Sequence, residues 1–132
     1  MLSSQQALQL CQIALQLAQQ NQQAIAVAVV DSHGELMAFT RHDGVGLPSI
    51  HLAQNKAYTA ARERQPSGNL GQWARDTGKD MGYWNDARVT GFKGGVPIFV
   101  DEQCVGAIGV SGLSEEEDEA LASQAIDVQR LQ

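Results

Sequence analysis

Apolar and polar positions recur along this chain with two periods, and the element changes wherever the period does. Over residues 5–20 the spacing is helical. Ala7, Leu10, Cys11, Ala14, Leu17 and Ala18 share one arc, Leu8 and Leu15 stand at its edge, and Gln9, Gln12, Gln16 and Gln19 take the other side. Ser3 or Ser4 can cap this helix. The arc covers about half the circumference, wider than the ~100° that one packing face needs. The spacing therefore predicts a second contact for the helix, such as another subunit. AIAVAVVD at 24–31 reads as a strand apolar on both faces, Ile25, Val27 and Val29 against Ala24, Ala26, Ala28 and Val30. A strand covered on both sides belongs inside a sheet, and its alanine face lets a helix approach closely.

SHGE then predicts a tight turn with Gly34 at positive φ, and ELMAFTR a return strand alternating Leu36 and Ala38 against Met37 and Phe39. After a polar connector, Pro48 or Ser49 starts a helix running to about Arg64, with Ile50, Ala53, Ala57, Ala60 and Ala61 as its buried stripe. Gln65 to Lys93 is polar and glycine-rich, with one short helical piece near NLGQWARD, and reads as a lid or an oligomer contact. GGVPIFVDEQCVGAIGVSG gives two strands joined at Asp101–Gln103. In SEEEDEALASQAIDVQRL, Ser114 caps a last helix, Glu117 completes a capping box, and the acidic first turn suits the helix dipole. Hairpins separated by helices predict an α+β fold: a mostly antiparallel sheet of about five strands flanked by helices, a profilin-like layered sandwich in a single domain over 1–132.

Composition narrows the function classes. A chain of 132 residues can bury one core, and no apolar run approaches the ~20 residues of a membrane span. The N-terminus has no basic start and is broken by glutamines, so it does not read as a signal peptide, and a cytoplasmic location is expected. Nine basic and fifteen acidic side chains give a formal charge of -6 with no basic strip, which argues against nucleic acid as the main partner. Cys11 and Cys104 form no CxxC pair and read as reduced, small hydrophobes.

The candidate chemistry lies in RHDGVGLPSIHLAQNKAYTA, residues 41–60. Gly44-Val45-Gly46 precedes a helix start, where free N–H groups and the dipole favour an anion, and Arg41 could add a forked contact. A nucleotide fingerprint is not formed: the third glycine, the later acid and the P-loop lysine are missing. GAIGVSG at 106–112 falls inside a strand, where glycine marks close packing. No G-x-S-x-G elbow and no H-x-x-x-H, C-x-x-C or H-E-x-x-H occurs, which disfavours serine catalysis and a closed zinc site. Among the histidines, His33 sits at a hairpin tip in solvent, and His42 ends the second strand beside Asp43 in a turn or salt-linked role. His51 falls in the first turn of a helix, where the dipole favours the neutral, metal-binding imidazole. Asn55 and Tyr58 share its face. Lys56 pairs either with a ligand carboxylate or with Asp31 or Asp43. Arg41, His42, His51, Lys56 and Tyr58 are thus the candidate ligand-binding residues, with His51 the metal ligand. The missing metal motifs leave open a macrocycle that needs just one or two axial contacts and an apolar slot.

Two long stretches carry a resemblance. VVDSHGELMAFTRHDGVGLPSIHLAQNKAYTA and GGVPIFVDEQCVGAIGVSGLSEEEDEALA resemble the two motifs of the GlcG/HbpS haem-binding-like proteins and together cover about half the chain. The same module resembles the C-terminal domain of PduO-type corrinoid adenosyltransferases. The resemblance implies a sheet flanked by helices, a homo-oligomer (often an octamer), and in some members binding of haem or a related tetrapyrrole; others accompany glycolate, glycerol or propanediol catabolism. The glycine usual in the second motif's hairpin is replaced around Glu102–Gln103. The resulting expectation is a non-enzymatic accessory protein for haem or a corrinoid. The alternatives are an enzyme for a small hydroxy acid or aldehyde, with Arg41 or Lys56 holding the carboxylate, and a structural assembly subunit.

Overall fold

The strand that is apolar on both faces lies where that pattern places it, inside a sheet. The computed structural model describes residues 1–132. In chain order the elements are α1 Ser4–Gln20, β1 Ala26–Asp31, β2 Leu36–Arg41, α2 Pro48–Glu63, α3 Gly68–Thr77, a 3-10 turn Met81–Trp84, β3 Gly95–Val100, β4 Gln103–Ser111 and α4 Glu115–Arg130. The sheet order is β2-β1-β4-β3 and every pairing is antiparallel. Four strands form, not about five, because residues 65–93 contribute α3 and the 3-10 turn but no strand. No helix is long and apolar enough to cross a membrane.

Helices cover both faces of the sheet. On one, α1 and α4 lie over Ile25, Val27, Val29, Ile108 and Val110. On the other, α2 lies over Ala26, Ala28, Val30 and Ala107 through Ala53, Ala57, Ala60 and Ala61. The wide arc of α1 is met within the chain, since α1 packs on both the sheet and α4. Within the chain its second contact is α4, and of the arc's residues Leu8 alone is exposed. The approach of α2 is close enough to exclude side chains. A Cβ on Gly109 would lie 2.1 Å from the Ala53 carbonyl oxygen, and one on Gly95 would lie 2.1 Å from that of Lys56. Ser3 with Gln6 and Ser114 with Glu117 form capping boxes on α1 and α4.

The β3–β4 turn has two residues, Asp101 (φ 50°) and Glu102 (φ 68°), both left-handed as a type I′ turn requires. A side chain in that region costs about 1 kcal/mol that glycine does not. Glu102→Gly is accordingly expected to raise the melting temperature by about 3 °C, read by calorimetry.

Candidate functional site

The five residues singled out in the sequence do not converge. Arg41 ends β2 and is exposed. His42 is a strut. Its Nδ1 accepts the Ile25 N–H at 3.0 Å, so in the neutral ring Nε2 carries the proton and donates to the Leu15 carbonyl oxygen at 3.1 Å. It ties α1 to the start of β1, does not pair with Asp43, and has no nitrogen left for a ligand. His42→Ala strands the buried Ile25 N–H and is expected to cost about 1–3 kcal/mol in urea unfolding, whereas His42→Asn, which keeps an acceptor there, should lose less than half of that.

Lys56 is likewise enclosed. Its Nζ lies 2.8 Å from Asp118 Oδ2 and donates to the Val110 carbonyl at 3.0 Å, with both charged side chains buried. Its partner is Asp118, neither Asp31 nor Asp43. The Asp118 carboxyl is pushed up from its ordinary value chiefly by burial, with Lys56 drawing it back. Tyr58 donates its hydroxyl hydrogen bond to Asp86 while the Arg88 guanidinium lies 3.8 Å over its ring. That bond raises the phenol and lowers the Asp86 carboxyl relative to their ordinary values. These contacts pin the chain around Asp86–Arg88 to α2. His51 is exposed on the first turn of α2, after exposed Leu47 and Pro48, and lines none of the principal cavities.

A better-built site lies at the other end of the sheet, beside the two hairpin turns. β1 pairs antiparallel with both β2 and β4, so Asp31 lies against Gly106 and the β1–β2 turn comes beside the start of β4. Both outer pairings are irregular here. Val29 faces Ala38 while Val30 faces Leu36, leaving Met37 as an extra residue; Ile98 faces Gly106 while Phe99 faces Cys104, leaving Val105 extra. Bulges re-aim side chains and gather at functional sites. Met37 and Val105 line a cavity of about 340 Å³ with Leu2, His33, Cys104 and their neighbours.

The turn carrying His33 is held from several directions. Asp31 Oδ1 accepts the N–H groups of His33 at 2.8 Å and Glu35 at 3.0 Å. Arg64 donates to the Ser32 carbonyl at 2.6 Å and Arg62 to that of His33 at 3.4 Å. Gly34 (φ +93°) rests on Tyr58, where a Cβ would lie 2.8 Å from the ring. The His33 backbone is thus fixed, yet its exposed imidazole makes no hydrogen bond within the chain. Across the cavity the Cys104 thiol donates to the Gly106 carbonyl at 3.3 Å. The chain groups no three His, Cys, Asp or Glu side chains as a bare metal ion would need.

The model of the HbpS-like haem-degrading proteins matches residues 2–127. The chain belongs to that family. Protein GlcG of Escherichia coli strain K12 is 33% identical over 110 residues, 83% of this chain and 81% of that protein. The structure of protein ORFY from Klebsiella pneumoniae superposes with a TM-score of 0.89 at 28% identity, covering 98% of this chain and 91% of that one. A PduOC:haem complex gives 0.84 at 30% identity over 90% and 88%. These likenesses agree with the GlcG/HbpS resemblance carried by the two sequence motifs.

Membership in the HbpS-like family makes haem the group to test against the cavity. Haem iron takes axial His, Met or Cys from a protein, and needs only one or two of them beside an apolar wall. His33, Met37 and Cys104 offer all three donor types, and Leu2 and Val105 add apolar surface. The residues therefore fit such a group. By local pattern alone His33 reads as solvated, Cys104 as a small buried hydrophobe and Met37 as a plain strand position. Each hairpin was visible, but their adjacency depends on β1 pairing with β4, and the two extra residues depend on register.

Proposed function

We propose that this chain binds haem or a closely related tetrapyrrole in the cavity beside the hairpin turns, where His33 would hold the iron and Met37 or Cys104 is the second candidate donor. One observation carries the reading: a free imidazole on a turn fixed by Asp31, Arg62, Arg64 and Tyr58, beside a cavity walled by two bulge residues. Such support for an otherwise unengaged side chain is how ligand sites are preorganised. The family description and the haem complex of PduOC support the choice of ligand. Haemin titration should give a shifted Soret band saturating at one haem per chain. His33→Ala should move the band and weaken binding about tenfold or more, while His51→Ala should leave both unchanged. A band unaltered by His33→Ala would refute the assignment, and a response to a corrinoid but not to haemin would transfer the cavity to that ligand.

In this reading the protein is a binding protein and not a catalyst. The family description favours a second reading, in which haem is degraded. Loaded protein kept in air with ascorbate separates the two. A stable Soret band supports binding alone, and progressive bleaching with release of iron supports turnover.

A further inference from the structure

Residues 63–84 build a second cavity that shares no residue with the haem candidate. It encloses about 350 Å³ and is lined by Glu63, Pro66, Leu70, Trp73 and Trp84, with Gln65 and Asn69 at its polar side. The chain has two tryptophans, and both are here. Their rings meet edge-to-face, with centroids 4.8 Å apart and planes at 70°, so they form the corner of a box. Both stay half-buried, outside the core, with ring surface open to the cavity. The third wall is a carboxylate. Glu63 Oε2 accepts the Trp84 indole N–H at 3.1 Å, which fixes both groups, and its other oxygen makes no hydrogen bond.

Glu63 is the one charged side chain on the cavity wall. It is the last residue of α2, at the negative end of the helix dipole. The neighbouring Arg64 lines no wall of the cavity, and its Nη1 donates to the carbonyls of Ser32 and Ala61. No lysine or arginine lines the walls. Indole faces attract a cation within about 6 Å, and methylated ammonium groups are bound in this way because they have methyl groups for the rings and a charge for the carboxylate. We infer that this cavity is a binding site for an organic cation of the quaternary or methylated ammonium class, held between Trp73, Trp84 and Glu63.

The test uses intrinsic fluorescence, since both emitting side chains are in the site. Choline chloride is titrated at constant ionic strength beside its neutral isostere, 3,3-dimethylbutan-1-ol. A saturable emission change with choline, and binding at least about tenfold weaker for the isostere, is the expected result. Glu63→Gln keeps an oxygen to accept from Trp84 but removes the charge, and should weaken choline about tenfold. No saturable change with choline, equal affinity for the two compounds, or a Glu63→Gln variant that binds choline like the parent would each overturn the inference. The comparison of the two compounds on the unaltered chain is decisive even if the variant does not fold.

Discussion

Asp118→Ala should destabilise the fold by about 3–5 kcal/mol, enough to bring a domain of ordinary stability close to unfolding at room temperature. Lys56 Nζ would keep only the Val110 carbonyl while remaining buried between α2 and β4, and the Leu113 N–H, which Asp118 Oδ1 accepts at 3.0 Å, would lose its partner. The loss measures an ammonium left uncompensated, not the net value of the pair, because removing two charges from water opposes their attraction. Two variants separate these contributions. Asp118→Asn keeps an acceptor for Leu113 but removes the charge. Lys56→Met with Asp118→Asn removes both charges and should recover at least half of the deficit in urea unfolding. If the double variant is no more stable than Asp118→Ala, the ion pair itself stabilises the fold and this account of it is wrong.

Gly109→Ala should be of similar severity for a steric reason. The new methyl would stand 2.1 Å from the Ala53 carbonyl oxygen and 2.6 Å from the Ala57 nitrogen, both backbone atoms of α2. No rotamer relieves such a contact, so the helix must lift from β4, and its alanine stripe has no longer side chains to fill the gap. Overpacking of this kind costs about 1–3 kcal/mol where side chains give way, and more where backbone must move. Gly46→Ala is the control, because a Cβ there meets nothing within 4 Å. A thermal midpoint for Gly109→Ala within about 2 °C of the parent would show that α2 is less closely seated than these distances state.

Much of the layered fold was legible because two periods and a few caps determine it. Ile25, Val27 and Val29 against Ala26, Ala28 and Val30 announced a strand covered on both sides, and the alanine face announced the close helix. Ser114 and Glu117 announced the last helix start. The long-range choices were not legible. Nothing local in Lys56 selects Asp118 over Asp31 or Asp43, since 62 residues separate the two partners. His42 reads as a turn residue until α1 and β1 bring a carbonyl and an N–H to its two nitrogens. The extra positions of Met37 and Val105 follow from register, which alternation alone cannot reveal. The cavity they wall was therefore out of reach even though every residue lining it was in view.

The two rims of the sheet have a consequence for how copies of this chain can meet. β2 and β3 are the outermost strands, yet Met37 interrupts the regular pleat of one, and Pro97 of the other has no N–H to offer. Neither rim is a good template for a strand from a neighbouring molecule, although Phe99 and Val100 are exposed along β3. Growth by stacking ribbons into fibrils is thereby discouraged, and any closed ring or shell of subunits is left to form through helices and loops.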